Sequence, residues 1–126
     1  MNENLYQKGR SKRDQMFGEE AAKNVGYLKD LAPDLERIVM ENLFGDFYNR
    51  PQLNPRIRSL CTISILAAQG REVQLKYHIQ GALNVGATRE EIVETLMHLF
   101  FYAGLPAASS GLKIANEVFA ETKEER

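Results

Sequence analysis

The side chains able to move a proton or grip an anion are concentrated between Asp46 and Tyr102. His78 lies among Lys76, Tyr77 and Gln80, and an imidazole, with an unperturbed pKa of about 6.5, suits proton transfer near neutrality. The competing assignment is a hydrogen-bonded structural histidine. Arg50, Arg56 and Arg58 cluster around the Pro51–Pro55 connection, with Asp46 just upstream. Planar guanidinium groups near a loop and a helix start suit the capture of a small carboxylate; the alternative is surface charge paired with Asp46 or Glu72. His98 stands four residues after Glu94, which reads as a helix-surface pair, and two histidines twenty residues apart with no carboxylate at ligand spacing predict no metal site. The single cysteine, Cys61, excludes an intrachain disulfide and any CxxC pair. Its neighbours Leu60, Ile63 and Ile65 predict that it is buried and inert. No phosphate-binding glycine motif is present, and Ser59, Ser64 and Ser109 lack a nucleophile-elbow context.

The elements that must position these residues all read as helices. Residues 3–29 carry Leu5, Met16, Phe17, Val25 and Leu28 as apolar anchors, with Gly18 as an interruption. Ala32-Pro33-Asp34 starts a second helix, anchored by Leu35, Ile38, Val39 and Leu43. It is expected to run to about Tyr48, where Asn49-Arg50-Pro51 stops it. Asn54-Pro55 opens a third, with Leu60, Ile63, Leu66 and Ala67 on one face, Ile57, Cys61 and Ile65 widening the stripe, and Gly70 at its end. A fourth, roughly 71–85, is anchored by Val73, Tyr77, Leu83 and Val85 and stopped by Gly86. Thr88-x-x-Glu91 is a capping box that begins a fifth helix with Ile92, Leu96, Leu99 and Ala103 on one face. Gly104-Leu105-Pro106 is a stop and a restart; the last helix uses Leu112, Ala115, Val118 and Phe119, and the tail from Glu121 is expected to fray. No segment alternates with period two. The expected fold is all-α, with about six helices in a single domain spanning 1–126.

With 126 residues, 44% hydrophobic, 26% charged and a net charge of −1, the chain has the composition of a soluble domain. It has no basic surplus for nucleic acid or anionic lipid. The start of the chain lacks an apolar leader core, and no apolar run approaches spanning length, so a cytoplasmic protein is expected. The fifth helix is the exception to this ordinary composition. Val93, Met97, Phe100 and Phe101 make it apolar around most of its circumference, and such helices are normally covered on all sides. A neighbouring subunit is the expected cover, which predicts a homo-oligomer; the alternative is a central helix in a monomer.

At these residues the chain resembles the carboxymuconolactone decarboxylase family. The matching text is Gly45-Asp46-x-Tyr48-x-Arg50-Pro51-x-Leu53, Arg58-Ser59-Leu60-x-Thr62-Ile63, Leu75-Lys76-x-His78-x-x-x-Ala82-x-Asn84-x-Gly86, Thr88-Arg89-x-Glu91-Ile92-x-Glu94 and Tyr102-Ala103-Gly104-x-Pro106-Ala107-Ala108. The resemblance implies an alkylhydroperoxidase D-like helical subunit assembled into trimers or hexamers. It also separates two chemistries. The redox branch carries Cys-x-x-Cys-x-x-x-His and an upstream glutamate; aligned on His78, those positions hold Arg71, Gln74 and Ser59, so dithiol chemistry is absent. What remains resembles the decarboxylase branch, whose substrate is a small dicarboxylated lactone of the protocatechuate route in aromatic catabolism and which needs no cofactor. The resemblance implies His78 as the proton-transfer group, Arg58 and Arg50 as holders of carboxylates, and Asp46 as an orienting acid. Tyr48 and Tyr102 are implied as pocket-lining residues. The chain departs from the family in reading Asp46-Phe47-Tyr48, where a glutamate and a tryptophan are usual, and Asn84-Val85-Gly86, where Asn-Asn-Gly is usual. Two further functions stay open: a peroxidase of the redox branch, and an oligomer that binds another lactone or small acid.

Overall fold

The computed structural model describes the backbone of residues 2–24 and 26–124, and the side chains of these except 19–24, 123 and 124. All regular structure among the described residues is helical, as the periodicity predicts. The chain forms two compact units, Met1–Pro55 and Arg56–Arg126.

In the first unit, α1 (Glu3–Asn24) packs along a helical run made of α3 (Pro33–Ile38), a π-helix (Val39–Asp46) and a single 3-10 turn (Phe47–Asn49), with the short α2 (Tyr27–Leu31) between them. Gly18 breaks α1 with φ 81°, a left-handed conformation open to glycine and costly to other residues. The expected anchor Val25 lies outside the described residues. Pro33 takes the first position of α3 with Asp34 and Glu36 in its first turn. The run ends as predicted, at Asn49, with Arg50 extended (ψ 135°) before Pro51.

Which stripe of this run is buried differs from the expectation. Leu35, Ile38 and Leu43 are exposed, whereas Met40, Phe44 and Tyr48 are buried. The chain carries two apolar stripes here, and the one that meets α1 is the one flanked by glycine. A Cβ on Gly9 would lie 1.8 Å from the carbonyl oxygen of Met40, and one on Gly45 would lie 2.4 Å from that of Leu5. Only hydrogen allows the two backbones to approach this closely. Carboxylates complete the packing. Glu41, buried in the π-helix, accepts from the backbone N–H of Asn2 (2.9 Å) and from Arg37 Nη1 (3.4 Å). Glu36 accepts from the Tyr6 hydroxyl (2.6 Å); burial, then this carboxylate, holds that phenol above its usual pKa.

In the second unit, α4 (Pro55–Gln69), α5 (Glu72–Asn84), α6 (Arg89–His98), α7 (Phe100–Ala103) and α8 (Leu105–Glu124) enclose one apolar core. α8 packs against α5, α6 and α7. Its centre is Ile63 and Ala67 from α4, Leu75, Ile79 and Ala82 from α5, Ile92 and Leu96 from α6, and Ala115 and Val118 from α8. The capping box at the start of α6 is formed in both directions: Glu91 N–H donates to Thr88 Oγ1 and Thr88 N–H to Glu91 Oε1, each at 3.0 Å.

Three details depart from the expectation. Val73, expected as an anchor of α5, is exposed; the core-facing line is Leu75–Ile79–Ala82, spaced i, i+4, i+7. The fifth predicted helix is two, α6 and α7, separated at Leu99. Its apolar residues also divide: Ile92, Leu96 and Leu99 are buried, while Met97, Phe100, Phe101 and Tyr102 stand exposed, Phe101 at 81%. Finally, helix α8 continues through Glu121 to Glu124.

Candidate functional site

The structure places Asp46, Tyr48 and Arg50 in the first unit, and Arg58, His78 and Tyr102 in the second. In the first unit the three residues sit at the outlet of the π-helix. An i→i+5 turn is wider than an α turn, and such turns gather at functional sites. Asp46 closes the π-helix and is exposed; Arg50 is exposed on the extended residue that follows the 3-10 turn. Tyr48 is buried, with its ring stacked on Phe44 at 5.6 Å. Phe44 in turn meets the edge of Phe17 at 5.9 Å. Asn49 fixes this outlet: its amide donates to the carbonyls of Phe44 (2.9 Å) and Gly45 (3.0 Å), satisfying acceptors left open where the helix ends.

In the second unit the chemistry is desolvated. His78 lies one turn from Leu75 and from Ala82 on α5, both in the core, and is itself partly buried. Burial of the ring lowers its pKa from 6.5 to about 4, because a low-dielectric setting disfavours the imidazolium. The protein alone therefore holds His78 neutral at pH 7. Arg58, in the first turns of α4, is only 6% exposed, and Ser59 beside it is fully buried. Tyr102, by contrast, is 82% exposed, its ring stacked on that of His98 at 5.4 Å.

Arg56 has a structural partner. Its guanidinium is ion-paired with Glu91, the same carboxylate whose other oxygen closes the capping box of α6. Neither Asp46 nor Glu72 is that partner, and Arg56 thereby ties the start of α4 to the start of α6. Cys61 also departs from its expected place: it is exposed. It shares an i, i+4 line with Ile65, also exposed, whereas the buried line of α4 is Ser59–Ile63–Ala67. Sequence reasoning passed over Ser59 for lack of a nucleophile context; the i, i+4 spacing to Ile63 and Ala67 was the available signal of its burial. The open polar groove along α1, lined by Asn4, Lys8, Lys12 and Asn49 among others, contains none of the six predicted residues. No group of three His, Cys, Asp or Glu side chains gathers as metal ligands among the described residues.

The second unit thus defines an all-α protein that desolvates an imidazole, a guanidinium and a hydroxyl. Residues 33–117 match the model of the carboxymuconolactone decarboxylase family, a span that runs through both units. The chain is 34% identical over 120 residues to 4-carboxymuconolactone decarboxylase of Acinetobacter baylyi, covering 94% of this chain and 90% of that protein. It is 28% identical over 116 residues to nitrosuccinic acid decarboxylase of Metarhizium robertsii, covering 90% and 80%. An uncharacterised 15.0 kDa protein of Paracoccus denitrificans is 38% identical over 100 residues, covering 78% and 75%. The chain belongs to the carboxymuconolactone decarboxylase family.

Proposed function

We propose that this protein is a cofactor-independent decarboxylase of a small carboxylated substrate, with 4-carboxymuconolactone as the first candidate. The observation that carries the proposal is the desolvated His78 of a family member whose relative, named for that reaction, matches nearly the whole chain. In the reaction the bond from carbon to carboxylate breaks, carbon dioxide leaves, and the electron pair passes through the conjugated double bond to the lactone carbonyl. A proton then adds to carbon. His78 supplies it: an anionic substrate beside a buried imidazole favours the imidazolium, so the proton is taken up with the substrate and given back in the reaction. Arg58, already buried, and Arg50 hold carboxylates as planar donors. Asp46 orients one of these groups, and Tyr48 and Tyr102 line the pocket.

The nitrosuccinic acid decarboxylase relative supports a wider substrate class. A nitro group, like a conjugated lactone carbonyl, accepts the electron pair left by carbon dioxide. The dithiol alternative has less support, since Cys61 is the chain's one cysteine.

Further parts of the proposal concern the molecule as a whole: one family domain running through both units, in the cytoplasm, as a homo-oligomer. Among the described residues no helix is long and apolar enough to cross a membrane. The exposed ridge of Met97, Phe100, Phe101, Tyr102 and Leu105 supports assembly, since contiguous exposed apolar surface marks contact sites.

The test is an ultraviolet assay with 4-carboxymuconolactone and, in parallel, nitrosuccinate, run on the wild type and on His78→Ala. The expected result is turnover that falls about 10²–10⁴-fold in a folded variant. Equal turnover in the two proteins would remove His78 from the mechanism. No turnover of either substrate by the folded wild type would remove the proposed reaction.

A further inference from the structure

Hydroxyls in helices commonly satisfy themselves by donating to the carbonyl one turn back. In the second unit Thr62 donates to Arg58 O (3.0 Å), Ser64 to Cys61 O (2.8 Å), Thr95 to Glu91 O (2.8 Å) and Thr122 to Val118 O (2.9 Å). Ser59 does not. It is fully buried, and its Oγ has no hydrogen-bond partner among the described residues. An unmatched buried hydroxyl costs roughly 1–3 kcal/mol, and alanine at this position on the Ser59–Ile63–Ala67 line would avoid that penalty. Among the described residues of this unit the buried polar ones are Arg58 and Ser59, a cation and a neutral donor. Among the described residues the buried acid is Glu41, in the other unit, where it accepts from Asn2 and Arg37. Ser59 is thus a buried donor without an acceptor among the described residues, next in sequence to a buried cation.

We propose that Ser59 is a substrate-binding residue whose Oγ–H donates a hydrogen bond to a carboxylate of the bound substrate, an assignment that rests on the decarboxylase reading above. The penalty carried by the unliganded protein is then removed on binding, when the hydroxyl acquires a charged acceptor. Such a bond favours dicarboxylates over monocarboxylates of the same shape.

The experiment compares wild type, Ser59→Ala and Ser59→Cys by thermal unfolding, by turnover of 4-carboxymuconolactone, and by the rise in melting temperature that 4-carboxymuconolactone, nitrosuccinate and succinate each produce. Cysteine keeps the volume but is a weak donor, so it separates a lost hydrogen bond from a cavity. The expected result is that Ser59→Ala unfolds at the wild-type temperature or above, while both variants lose roughly 10–100-fold in kcat/KM, as for one hydrogen bond to a charged group, and lose ligand protection. Unchanged kcat/KM and protection, with a lower melting temperature in Ser59→Ala, would make the hydroxyl structural and overturn the proposal, leaving the decarboxylase reading intact. Wild-type protection without turnover would remove that reading, and Ser59 would then stand or fall on whether its variants lose the protection. A wild type with neither protection nor turnover overturns both.

Discussion

The two units hold their helices together by opposite means. In Met1–Pro55, backbones approach because side chains are missing: Gly9 and Gly45 let α1 lie on the carbonyls of the π-helix, and Glu36 and Glu41 fasten the contact by accepting hydrogen bonds. In Arg56–Arg126, side chains fill the space, with Ile63, Ile79, Ile92 and Leu96 fully buried in one cluster. The residues proposed to act on substrate inherit these settings. Asp46 and Arg50 are exposed, whereas His78 is partly buried and Arg58 and Ser59 are buried, where an electrostatic contact is stronger.

The contrast can be broken from either side. Removing volume should damage the second unit most: Ile79→Ala is expected to destabilise by roughly 2–5 kcal/mol, read by chemical denaturation. Adding volume should damage the first: the methyl of Gly9→Ala would fall on the Met40 carbonyl and is expected to destabilise by about 3 kcal/mol. Equal tolerance of Gly9→Ala and of an alanine at exposed Lys8 would show that the close approach is not required.

The environment of His78 gives a pH-dependent signature. Its pKa of about 4 in the folded protein lies below the unfolded value of about 6.5. As pH falls through that window the unfolded chain binds the proton first, so stability declines between pH 6.5 and 4. At pH 7 the folded ring is neutral and the unfolded one mostly so, and little is lost. The decline attributable to this group is at most about 3 kcal/mol, and His78→Gln should show a correspondingly flatter profile of unfolding free energy against pH. Identical slopes in the two proteins would mean that the ring is hydrated.

The smallest effect expected is at the cap. Thr88→Ala removes one half of the capping box of α6 and should cost about 1 kcal/mol. Because Glu91 also holds Arg56, Glu91→Gln should cost more than Thr88→Ala; the reverse order would show that the ion pair contributes nothing.

Much of this molecule follows from local rules. The helix stops at Gly70, Gly86 and Gly104, the break at Gly18, the capping box and the Asn49-Arg50-Pro51 exit were all legible, because each depends on the conformational preference of one to four consecutive residues. The same is true of the all-α class, which follows from apolar spacing. The candidate residues were legible by type and by family resemblance. Their environments were not. Periodicity pointed to the Leu35–Ile38–Val39–Leu43 stripe on the second predicted helix and to a broad apolar surface on the fifth. Which stripe is buried depends on where a partner element lies, so Met40–Phe44–Tyr48 won over Leu35–Ile38–Leu43 only through Gly9 and Gly45. The same reason accounts for exposed Cys61, for Arg56 bound to Glu91 thirty-five positions away, and for the burial of Ser59. Sequence alone determined which backbone turns form and which groups are available. Tertiary packing decided which of those groups lose water, because desolvation depends on every neighbour at once.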